Sequence, residues 1–252
     1  MLSVKRFLEI FSVCVFLLSI HGCYPYYAFG NSGIDPITFN KPLYADSAKV
    51  TTYIGGKFTQ SVDSAYMQSG ERNYFGQLYW AQTHIEENYN YSYGAFGYLG
   101  SYKVAEVDNF KGNKSYYGGG ISGELNYNVP LKTCDIRFIG IKGTLFYENG
   151  DFTRFRREAS DQNLISGVFL SKFSYNISLL QGIDFKLHKG KLGIDVSNGF
   201  TYFTNDTPEF FTTSLNIHYT YSRYTGFIQF TNSLFGIGEE ISVGFNYRIK
   251  CR

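Results

Sequence analysis

The sequence predicts an all-β fold, an antiparallel up-and-down transmembrane β-barrel of about ten strands. Three observations predict it. From residue 49 onward, apolar and polar residues alternate strictly over long runs, the mark of half-buried strands. Most runs reach eleven residues or more, where strands in soluble proteins average about five or six. The apolar faces end in tyrosine and phenylalanine, while the opposite faces are small or hydrogen-bonding, as interfacial girdles and a narrow lumen require. A closed barrel is also the one β-structure that sits in lipid with every backbone group paired.

The strands are expected at 49–60, 73–86, 90–104, 115–129, 134–148, 166–188, 191–204, 211–222, 224–233 and 240–250. In the last, Ile241, Val243, Phe245, Tyr247 and Ile249 share one face, and Ser242, Gly244, Asn246 and Arg248 the other. In the eighth, Leu215, Ile217, Tyr219 and Tyr221 oppose Asn216, His218 and Thr220. The sixth is the longest. Phe169, Phe173, Tyr175, Ile177, Leu179, Ile183, Phe185 and Leu187 all carry odd numbers, so it reads as one strand projecting beyond a bilayer. Breaking it raises the count, and twelve strands is the alternative. Ten returns both chain ends to one side of the membrane, as bacterial barrels do. Periplasmic turns then fall near Glu87-Asn88, Pro130–Thr133, His188–Gly190 and Ser222-Arg223. Outer loops fall near 61–72, 105–114, 149–165, 205–210 and 234–239.

Ahead of the strands, Lys5 and Arg6 precede an apolar run at 7–20, interrupted by Glu9. The run is short for a membrane-spanning helix, which needs ~20 apolar residues, and suits a secretory leader. Ile20-His21-Gly22-Cys23 resembles the bacterial lipobox, where cleavage before the cysteine precedes its lipidation. The expected division is a signal peptide at 1–22, an irregular tether at 23–48 lipidated at Cys23, and a barrel at 49–252. Two or more acyl chains give stable anchoring. No acidic cluster follows Cys23, which favours an anchor on the periplasmic side of the outer membrane. The envelope permits disulfides, so Cys134 and Cys251 can pair or stay as two thiols.

A net charge of +2 makes no electrostatic case for nucleic acid. The aromatic fraction is 19%, with 27 glycines and only 5 prolines, which suits long strands better than looped, disulfide-rich architecture. A mean hydropathy of −0.19 argues against a helical membrane protein. It does not argue against a barrel, in which every second residue faces lipid.

Several phrases, namely "NKPLYADSAKV" (40–50), "YNYSYGAFGYLGSYKV" (89–104), "GGGISGELNYNVPL" (118–131), "GDFTRFR" (150–156) and "ISVGFNYRI" (241–249), sit in an order that resembles small outer-membrane β-barrel lipoproteins of Bacteroidota type. The resemblance implies a barrel with a lipid anchor. It brings no activity and no functional residue beyond Cys23.

No histidine stands at metal-ligand spacing. His84 and His188 fall at the periplasmic end and His218 in the lumen, so the outer mouth lacks the histidine a barrel protease or acyltransferase needs. No cofactor and no catalysis are expected. "GGGISGE" (118–124) lacks the strand-loop-helix setting of a phosphate loop; its glycines read as relief for crowded neighbours. Glu124, Lys142, Asp184, Asp195, His218 and Arg248, with Lys186, Asn126 and Asn246, are expected to line the lumen. Buried charges must pair, so they read as an ion-pair network, or as the lining of a narrow pore. Arg154, Arg156 and Arg157, in the longest outer loop, are candidates to contact outer-membrane lipid, lipopolysaccharide or acidic glycan. The expected function is a non-enzymatic outer-membrane barrel lipoprotein with a structural or surface-binding role. A small-solute channel and a lipid-tethered soluble β-sandwich are the alternatives.

Overall fold

A computed structural model describes residues 50–62, 70–86, 88–105, 107–165, 168, 170–203, 206–233 and 239–251. The expected leader, lipobox and tether fall outside these residues. Ten strands follow in order: β1 (Val50–Val62), β2 (Arg72–Ile85), β3 (Tyr89–Val104), β4 (Gly112–Pro130), β5 (Cys134–Gly150), β6 (Phe173–Leu187), β7 (Gly190–Phe203), β8 (Asp206–Tyr221), β9 (Tyr224–Ser233) and β10 (Glu239–Cys251). Each pairs antiparallel with its sequence neighbour, and β1 pairs with β10, so the sheet closes on itself. At that seam Thr59 lies opposite Ser242 and their hydroxyls hydrogen-bond at 2.8 Å. Closure excludes both a twelve-strand barrel and a β-sandwich. Val243, Phe245 and Ile217, which a sandwich would bury, are 49%, 59% and 40% exposed.

Alternation decides which residue faces which way. On β4, Ser122, Glu124, Asn126 and Asn128 are buried, while Ile121, Leu125 and Tyr127 are exposed. The same alternation of inward and outward side chains runs around the ring. Four short connections mark one end, here the turn end: residues 86–88, 131–133, 188–189 and 222–223. All four match expectation. Both termini of the barrel chain lie at this end, and the other connections, all but β7–β8 longer, lie at the loop end.

Three expectations need correction. The sixth strand begins at Phe173, not 166. Its pairing with β5 stops at Tyr147↔Phe173, and with β7 at Ser174↔Phe203. The loop expected at 149–165 holds an α-helix, α1 (Asp151–Asp161). Gly150 makes the change of direction at φ 130°, where a side chain would also run into the Ser115 carbonyl and where glycine alone is comfortable. Asp151 sits in the first helical turn, where a negative charge meets the helix dipole favourably. The helix stops at Asn163, in a left-handed conformation with its N–H donating to the Ser160 carbonyl, a standard helix ending. Finally, the loop expected at 205–210 is mostly strand, since β8 starts at Asp206.

Candidate functional site: the lumen and its cap

The lumen is not chemically uniform. It is polar at the turn end and, at the loop end, along β6–β10 and β1, where Thr59, Asn176, Thr201, Thr212, Thr231 and Ser242 are buried. At the turn end Asp195 on β7 accepts from Arg137 on β5 at 3.0 Å and faces Nδ1 of His218 on β8 at 3.3 Å. Nε2 of His218 lies 3.1 Å from Asp184 on β6. Both ring nitrogens thus face carboxylates, and only the imidazolium donates through both. Asn216 donates to Asp195 at 3.4 Å. A second group sits on the neighbouring strands: Asn126 donates to Asn90 at 2.7 Å and to Glu124 at 3.1 Å. Glu124 and Lys142 are directly opposed in the β4–β5 register and both are buried.

Glycines make room for these groups. Asp184, Gly193 and His218 form one cross-strand row over β6, β7 and β8. A Cβ at Gly193 would meet both Asp184 and His218, and one at Gly182 would meet Asp195. The same device recurs at the loop end, where Tyr116 lies over Gly100, Tyr98 over Gly118 and Phe96 over Gly120. A large side chain on one strand thus lies flat across a bare position on its neighbour.

On the β2–β5 wall of the loop-end half the lumen is aromatic. Phe75, Tyr79, Phe96, Tyr98, Tyr116 and Phe146 form a buried cluster, continued by Phe152 and Phe155 of α1. Tyr102 stacks on Phe152 at 4.4 Å, and Phe110 packs against Phe155 at 5.4 Å. Each such pair contributes about 0.5–1.5 kcal/mol beyond the area it buries. The helix packs its buried stripe against β4 and β5 at the mouth, because Phe152, Phe155, Arg156 and Ala159 recur at helical spacing.

Of the three arginines expected at the surface, one is not there. Arg156 is fully buried, donates to Glu148 of β5 at 2.9 Å and lies 5.1 Å from the Phe152 ring centre. Arg154 and Arg157 are exposed on the opposite face, Arg154 beside Asp151 at 3.6 Å. Helical geometry separates 156 from 154 and 157, a distinction a loop would not make.

Arg248 and Lys186 also leave the expected lumen set. Arg248 is half-buried at the turn end and donates to the Ser222 carbonyl at 3.1 Å. Lys186 is exposed and lies 2.7 Å from Asp135. Asn246 is in the lumen as expected and accepts from the Tyr79 hydroxyl. His84 and His188 lie toward the turn end, His84 stacked on Tyr91 at 4.6 Å. Cys134 is a buried, free thiol. It opens β5, five strands around the ring from the β10 end where Cys251 lies. That is the opposite wall, and a bridge needs Cα atoms within about 7 Å. The side chain of Cys251 is outside the described residues.

Two groups escape the sequence reading. Arg137 faces the lumen because β5 carries a bulge, where one extra residue slips the alternation. Phe138 and Ile139 both point outward, so odd-numbered Arg137 and even-numbered Lys142 reach the same interior. Glu148 is in phase with Thr144 and Phe146, and that phase was a usable signal.

No family model matches the chain, and no curated protein does. Solved barrels are similar at low identity. The β-domain of the Bordetella autotransporter BrkA matches at 9% identity over 81% of this chain and 100% of that one, TM-score 0.49. An outer membrane channel from Pseudomonas putida matches at 8% over 85% and 100%, TM-score 0.46. The outer membrane protein OprG from Pseudomonas aeruginosa matches at 14% over 81% and 97%, TM-score 0.37.

Proposed function

We propose that the chain is an integral β-barrel of the bacterial outer membrane that does not conduct, anchored by lipid at Cys23 on the periplasmic side. Its role is structural, or binding at the loop end, and includes no catalysis. The observation that carries the membrane reading is inverted polarity. Arg137, Lys142, Asp184 and Asp195 are inside and buried, while Leu78 and Leu99 are 73% and 72% exposed.

The outer surface has the height a bilayer needs. Exposed Tyr117 and Tyr127 bound the apolar stretch of β4. They lie ten residues apart on one strand, which is ~33 Å of strand at ~3.3 Å per residue and ~25 Å along an axis tilted ~40°. Tyr89, Tyr91, Tyr219, Tyr221 and Tyr224 continue the turn-end ring of exposed aromatics; Phe173, Tyr175 and Phe200 continue the loop-end ring.

A dry lumen supports the sealed state. Lys142, Asn126, Asp184 and Gln229 have at most 1% of their surface accessible to water; a water-filled pore would wet them. Above the lumen the helix, fixed by the buried Arg156–Glu148 pair, covers the β4–β5 side of the mouth.

Two experiments test the reading. The Cys23→Ala protein should stay with membranes through carbonate extraction; release would point to a soluble body held only by its lipid. The purified barrel should give no steady conductance in planar bilayers; defined single-channel steps would replace the sealed barrel with a channel.

A further inference from the structure

Two surface features lie one above the other on β4 and β5, and together they describe an amphiphile. The upper one is a polar pocket of about 540 Å³ between the outer face of α1 and the barrel rim, lined in part by Tyr117, Asn149, Arg154, Arg157 and Lys172. Asp151, also in its lining, is engaged by Arg154 at 3.6 Å and by the Ser115 hydroxyl at 2.8 Å. Glu158 is the other acidic residue present. Among the described residues neither Arg157 nor Lys172 has an ion-pair partner. The pocket therefore keeps one uncompensated positive charge and two unengaged cationic side chains.

The lower feature is an apolar groove of about 660 Å³ on the outer wall, crossing β2 to β6. Its floor is bare because Gly123 and Gly143 are directly paired. Ile121 and Leu145 form the wall towards the loop end, and Trp80 lies at one side. Four residues of β4 separate Tyr117 from Ile121, and four of β5 separate Asn149 from Leu145. The step from cationic pocket to apolar groove is ~13 Å along each strand.

We infer that this wall binds a phosphorylated membrane lipid, its phosphate at Arg157 and Lys172 and an acyl chain over Gly123 and Gly143. The site rests on the membrane reading above. Arginine forks match phosphate oxygens bidentately and lysine supplies a mobile point charge. Tyr117 lies at the height where the exposed aromatic ring marks the interface, so a phosphate beside it is at headgroup depth. The glycine floor admits a chain where ordinary side chains would exclude it.

Trp80 is the only tryptophan of the chain and reports on the groove. The full chain is refolded into phosphatidylcholine vesicles containing a low mole fraction of phosphatidic acid with brominated acyl chains, and quenching of Trp80 is measured. Brominated phosphatidylcholine at the same fraction is the comparison. The phosphomonoester lipid should be enriched about tenfold at Trp80 over its bulk fraction, ~1.4 kcal/mol. The Arg157→Gln/Lys172→Gln protein should lose that preference. So should Gly143→Leu, whose new side chain enters open space, since a Cβ there meets nothing within 4 Å. Equal quenching by the two lipids, or a preference that survives both variants, overturns the site and leaves the membrane reading standing. If neither brominated lipid quenches Trp80, the membrane reading itself fails.

Discussion

His218 and Asp184 meet across a strand that belongs to neither. His218 is on β8 and Asp184 on β6, and Nε2 stands 3.1 Å from the carboxylate over the bare backbone of Gly193 on β7. The contact exists because the intervening residue has no side chain. The turn-end network depends on that absence as much as on its charges.

Gly193→Val should therefore be among the most damaging single changes in the chain. The added carbons occupy the path of the imidazole, and parting a buried charged pair costs about 3–5 kcal/mol. Gly226→Val is the control, since a Cβ at Gly226 meets nothing within 4 Å. The midpoint of urea unfolding in detergent should drop sharply for the first and hold for the second. Equal midpoints would mean the network contributes little.

Arg137 and Asp195 should behave as a coupled unit. Arg137→Met alone removes the guanidinium 3.0 Å from Asp195 and leaves the buried carboxylate only His218 and Asn216, a loss of up to about 3–5 kcal/mol. Adding Asp195→Leu removes the stranded charge and should recover part of that stability. A double-mutant cycle on unfolding free energy reads the coupling; strict additivity would contradict it.

The two neighbouring arginines of α1 should differ. Arg156→Ala leaves Glu148 buried without its guanidinium partner, so the cap loosens and 151–172 becomes a site of protease cleavage. Arg154→Ala removes a pair whose partners are 70% and 55% exposed, and its effect on stability should stay within about 0.5 kcal/mol. Limited proteolysis with mass detection distinguishes them; equal cleavage rates would put both arginines at the surface.

The thiol of Cys134 should be silent to a bulky maleimide in the folded barrel and react after denaturation. A gel-shift reagent reads this directly. Modification of the folded protein would contradict burial at the mouth of β5.

Much of this fold was legible because a barrel wall writes itself into sequence with period two. Ile241 to Ile249 and Leu215 to Tyr221 point outward, as alternation requires, and the four short turns fall where alternation lapses. Asp184, Asp195 and His218 come together as expected because all three are in phase with lumen-facing neighbours. The failures arise where a second geometry intrudes. The bulge at Phe138-Ile139 resets the phase, so Arg137 went unseen. Gly150 turns the chain into a helix, and there a spacing of three or four residues decides burial. That is why Arg156 is inside and Arg154 and Arg157 are not. In β3 aromatics occupy both phases, as Phe96 and Tyr98 inside against Tyr91 and Tyr93 outside show. Nothing in the alternation separates a greasy lumen from a greasy exterior there.

Single cysteines placed in turn at residues 121 to 126 of β4, in a chain with Cys14, Cys23, Cys134 and Cys251 replaced, give the most direct measurement. Each is labelled with an environment-sensitive dye after unfolding, the chain is refolded into vesicles, and a lipid-borne quencher is added. Positions 121, 123 and 125 should be quenched from the bilayer, and 122, 124 and 126 should not. Quenching that ignores this alternation, or that favours the even positions, would show that hydrocarbon does not lie against the odd face, and the account would fail.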